Sequence, residues 1–112
     1  MINFSILSNI KWLMSKIDKN LLDIDIDIKK YIINDYIDFK RYFYKGKNKI
    51  DLLIRNNQYS LFMIKSIEKD IYKSNCYLYE FYRHNLDFKT NVSIRKISHD
   101  LNEVLYLLKK IS

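Results

Sequence analysis

Ile94, Ile97, Leu101, Val104, Leu108 and Ile111 recur at alternating intervals of three and four residues. That spacing gathers six branched apolar side chains on one stripe of an α-helix. Lys109 and Lys110 lie near its end, where cations oppose the negative pole of a helix dipole. This segment alone commits the chain to helical structure.

The same spacing recurs upstream. Ile6, Ile10, Leu13, Ile17 and Leu21 predict a first helix over residues 3–22. Next comes Asp23-Ile-Asp-Ile-Asp-Ile28, whose alternation would suit a short edge strand. Aspartate is poor in strands and good at helix N-caps, so the expectation is a connector with Asp27 capping a second helix. Ile28, Ile32, Tyr36, Phe39 and Phe43 carry that helix over 28–44. Gly46, the one glycine, is expected to end it, with Lys45 just before it at the helix C-terminus.

Ile50, Leu53 and Ile54 predict a short third helix over 48–55, broken at Asn56-Asn57. A β-hairpin over 49–64 competes with it, because Asn tolerates left-handed turns. A long fourth helix over 59–85 carries Leu61, Ile64, Ile67, Ile71, Leu78 and Tyr82, and a polar loop is expected at 87–91. The resulting fold class is all-α, a compact bundle of about five antiparallel helices in one domain spanning 1–112.

Composition sets limits on function. The chain has 112 residues, 48% of them hydrophobic, enough for one domain with a real core and too apolar for intrinsic disorder. It has no Pro and no Ala but 18 Ile, 16 Lys, 11 Asn and 10 Tyr. These are the residues of AT-rich codons, as in the genomes of some viruses, parasites, organelles and low-GC bacteria. The net charge of +7 therefore owes part of its size to codon usage. Cys76 is the single cysteine, which excludes an intramolecular disulfide. No window reaches the roughly 18 apolar residues of a spanning helix. The first residues lack the charged start and cleavage site of a signal peptide. An intracellular, cytoplasmic location is the expectation.

Catalytic equipment is sparse. Cys76, Glu80 and His84 lie four apart on one predicted helix face, but a zinc site normally recruits four ligands with close paired spacings. Arg95 and His99 resemble, in residue type, the Arg and His of helical HEPN-class ribonucleases. Three residues separate them here, where that class has four to six. That likeness implies a nuclease-like toxin as a remote alternative. One glycine cannot build a phosphate loop. The Asp23–Asp25–Asp27 run lacks the Gly and Glu of an EF-hand, holding Ile28 and Asn34 there. No catalytic residue, metal or cofactor is expected.

Two stretches carry binding character. Residues 39–55 hold Lys40, Arg41, Lys45, Lys47, Lys49 and Arg55 against one acid, Asp51, with Tyr42, Phe43 and Tyr44 interleaved. Cations neutralise phosphates and rings stack on unpaired bases, so this mixture suits RNA. The candidate RNA contacts are Lys40, Arg41, Tyr44, Lys45, Lys47, Lys49 and Arg55. Tyr77, Tyr79, Phe81 and Tyr82 crowd six residues and cannot all face one core. With Trp12, which lies off its helix's apolar stripe, Tyr77, Tyr79 and Phe81 are candidates for a protein interface. The leading expectation is a non-catalytic protein-protein interaction module or an accessory subunit of a multi-subunit assembly. An RNA-binding factor of a ribonucleoprotein is the alternative.

Overall fold

The computed structural model describes residues 4–28, 34–56, 60–82 and 88–112. They form four α-helices: α1 (Phe4–Ile28), α2 (Asn34–Asn56), α3 (Leu61–Tyr82) and α4 (Phe88–Ile111). The all-α bundle stands, with four helices where about five were expected. The hairpin alternative is overturned, since 49–56 ends α2 and 61–64 begins α3.

Three local expectations change with it. Residues 23–28 are the last turns of α1 and not a connector. Ile24 lies three residues after Leu21 and both are buried, so the core stripe continues where the Ile/Asp alternation read as period two. Gly46 does not end α2. The buried set Tyr36, Phe39, Phe43, Gly46, Ile50 and Leu53 keeps three-and-four spacing straight through it, so the expected second and third helices are one. Residues 88–91 open α4, with Thr90 buried.

Local chemistry explains the ends that are described. Ser60 caps α3, its Oγ accepting from the Met63 N–H at 3.2 Å. Lys109 and Lys110 occupy the last turn of α4. The expected break at Asn57 lies outside the described residues.

Cross-helix contacts establish the register. Between α2 and α3, Tyr36 meets Phe81, Tyr42 meets Tyr77 and Lys49 meets Asp70, so the partners fall in number as α2 advances. Between α3 and α4, the amide of Asn75 donates to Asn102, and Tyr79 shares a cleft with Arg95. Lys16 of α1 reaches Asp100 of α4. The helices thus run alternately up and down, as short connections dictate. Each packs on its chain neighbours and α4 closes on α1, while among the described residues the backbones of the diagonal pairs α1/α3 and α2/α4 stay apart. The molecule measures 45 × 20 × 20 Å.

The interior is one continuous cluster drawn from all four helices, including Ile10, Ile17, Phe39, Phe43, Ile64, Ile71, Phe81, Ile97 and Leu101. A string of rings, Phe43–Phe39–Tyr36–Phe81, runs through it with centroids 5.1–6.0 Å apart. Among the described residues, no helix is long and apolar enough to cross a membrane.

Candidate functional site

Helical geometry disperses the basic segment 39–55. Residues 40, 41, 45, 47, 49 and 55 point in several directions around α2, and several meet partners within the fold. Lys49 Nζ lies 2.5 Å from Asp70 Oδ2 and donates to Ser66 Oγ at 2.7 Å, both on α3. Lys47 Nζ stands 3.8 Å from Asp18 of α1. The Tyr44 hydroxyl donates to the same carboxylate at 2.5 Å. These three side chains tie helices together, and each is half-buried. Arg41 pairs with Asp38 at 2.8 Å, Lys40 sits 5.4 Å from the Tyr36 ring, and Arg55 is exposed at the far end of α2.

What the structure assembles instead is centred on Tyr42. Its half-buried ring lies nearly parallel to that of Tyr77 on α3, with centroids 5.6 Å apart and an interplanar angle of 8°. Three cations stand around it: Arg41 at 5.3 Å, Lys45 at 5.2 Å and Lys73 at 5.1 Å from the ring centroid. Lys73 comes from α3 and was not among the sequence candidates. No sequence signal joins it to Tyr42, because the pairing depends on the α2/α3 register.

The aromatic candidates separate by burial. Phe81 is wholly buried, 5.1 Å from Tyr36, which corrects its assignment to an interface: its ring fills the core. Tyr77 is half-buried on Tyr42. Trp12 is exposed, with Lys16 Nζ 4.9 Å from its ring, and Tyr79 is 66% exposed.

Tyr79 belongs to a larger feature. Phe62, Lys65, Lys69, Tyr72, Cys76 and Tyr79 are all exposed and follow one another at intervals of three and four. They form a second helical stripe on α3, facing away from the buried stripe of Ile64, Ile67, Ile71, Ser74, Leu78 and Phe81. Phe62 is 85% exposed and Tyr72 61%. Neither was a sequence candidate as a surface group, although the second stripe was legible in the spacing.

The described members of the two catalytic constellations, Cys76, Glu80, Arg95 and His99, are all exposed. Cys76 and Glu80 sit on α3, and His84 lies outside the described residues. Arg95 borders a cleft of about 270 Å³ with Leu78, Tyr79, Ile94 and Ser98. His99 borders a different groove with Lys16, Asn20, Lys96 and Asp100. Asp100 is buried, its Oδ1 3.3 Å from Lys16 Nζ, and its Oδ2 meets no hydrogen-bond donor. Among the described residues, no three of His, Cys, Asp and Glu are grouped to hold a metal ion. No protein-family model matches the chain, and no curated protein or solved structure matches it.

Proposed function

We propose that this chain is a non-catalytic helical interaction module, an accessory subunit that docks a partner protein on the outer face of α3. The observation that supports this reading is the exposed stripe Phe62–Lys65–Lys69–Tyr72–Cys76–Tyr79. Six positions at that spacing cover about 26 Å of helix face. Large rings held on a rigid helix bury much area for little lost side-chain entropy, and aromatic residues are enriched among the anchors of protein interfaces. The fold itself gains little from exposing three rings to water, since its core is complete without them.

The test is affinity purification with the wild-type chain and with Tyr72→Ala and Tyr79→Ala, scored by mass spectrometry with and without nuclease. The expected result is a nuclease-resistant partner that both variants lose while keeping a wild-type circular dichroism spectrum and a stability within about 0.5 kcal/mol. Variants that retain the partner would remove α3 as the docking face. Nuclease-sensitive recovery would favour the RNA-binding alternative.

A further inference from the structure

We propose that Arg41, Lys45 and Lys73, gathered around the Tyr42–Tyr77 stack, form a phosphate-binding site for the backbone of single-stranded nucleic acid. This site lies on the α2/α3 seam and stands independently of the protein-docking stripe. Its central observation is three like charges within 5.1–5.3 Å of one ring centroid. The only carboxylate paired with any of them among the described residues is Asp38, on Arg41. Asp70, the nearby acid on α3, is already held by Lys49. Lys45 and Lys73, brought to one ring without a matching acid among the described residues, repel one another, and an anion placed between them relieves that repulsion.

The chemistry of the set favours phosphate over carboxylate-bearing polypeptide. Arg41 offers a planar fork that fits two phosphate oxygens, and Lys45 and Lys73 add point charges from two different helices. The Tyr42 and Tyr77 rings remain partly exposed beside them. Cations beside aromatic faces are the combination with which proteins hold unpaired strands, the charges tracking the backbone and the rings stacking on bases. A duplex hides its base faces and would use only the charges.

The experiment is fluorescence anisotropy with a short labelled single-stranded RNA of mixed sequence, read across a salt series. Three proteins are compared: wild type, Lys45→Glu/Lys73→Glu, and a charge-matched control, Lys11→Glu/Lys19→Glu. The control residues are exposed on α1, whose backbone stays apart from that of α3 among the described residues. Wild type is expected to bind with a log–log salt slope of about −2, three contacted phosphates at about −0.7 each. The site variant is expected to lose at least about tenfold more affinity than the control and most of that slope. Lys45→Gln/Lys73→Gln, which adds no negative charge, should lose affinity in the same direction with an unchanged circular dichroism spectrum.

Several outcomes overturn the proposal. Equal losses in the site variant and the control would mean that net charge alone attracts RNA. Poly-glutamate binding as tightly as RNA would assign the seam to acidic polypeptides. Inorganic phosphate that saturates Lys45 and Lys73 side-chain shifts as tightly as RNA does would make free phosphate the ligand. Absence of RNA binding at low salt would remove the site altogether.

Discussion

A Cβ built at position 46 would fall 2.7 Å from Ile71 Cδ1 and 3.2 Å from Ile71 Cγ1. Gly46 therefore lets the Ile71 side chain of α3 lie directly against the α2 backbone, and any larger residue there must displace that side chain. The helix accepts the propensity loss of about 1 kcal/mol that glycine brings to a helix interior. Gly46→Ala should recover that amount but overpack Ile71, at about 1–3 kcal/mol, for a net loss of about 1 kcal/mol. Ile71→Val removes Cδ1 and with it the shorter contact. In that background Gly46→Ala should be neutral or stabilising. Urea denaturation of the four proteins in this double-mutant cycle would measure the coupling, and strict additivity would refute the close-contact account.

At the scale of the element, α3 carries two stripes with the same spacing and opposite fates. Phe81 and Phe62 are the same residue type on the same helix, one wholly buried and the other 85% exposed. Phe81→Ala should cost about 3–5 kcal/mol, the usual penalty for emptying a buried aromatic site. Phe62→Ala should change stability by no more than about 0.5 kcal/mol. Thermal melts of the two variants decide the matter. A large loss from Phe62→Ala would mean that the outer stripe serves the fold and not a partner.

For the whole molecule, the four-helix ring is only as firm as its thinnest seam. Among the described residues α1 and α2 approach each other least of the neighbouring pairs, and Asp18 bridges them by accepting from Tyr44 and pairing with Lys47. Asp18→Ala leaves a half-buried phenol hydroxyl and a lysine without that partner. The expected cost is about 1 kcal/mol, the lower range for a hydrogen bond to a charged group at a partly exposed site. Urea unfolding should show a lower midpoint with an unchanged slope, since the surface exposed on unfolding stays the same. An unaltered midpoint would show that apolar contacts alone hold the seam.

Much of this was legible in the amino-acid order. The stripes of α1 and α4 and the buried run of α3 follow from three-and-four spacing, which any amphipathic helix must obey to bury one face. The run Phe43–Gly46–Ile50 keeps the same spacing, so even the continuity of α2 was written there, hidden behind glycine's reputation as a stop. Periodicity says which face of a helix is apolar; it does not say which residue of another helix lies opposite. That register comes from side chains interlocking across seams between residues distant in sequence. Hence only the tertiary structure decided that Lys49 meets Asp70 and Lys47 meets Asp18. It alone brought Lys73 to Tyr42 beside Arg41 and Lys45. The order of residues determined a helical bundle with a surplus of cations and rings, and packing determined which of them remain at the surface.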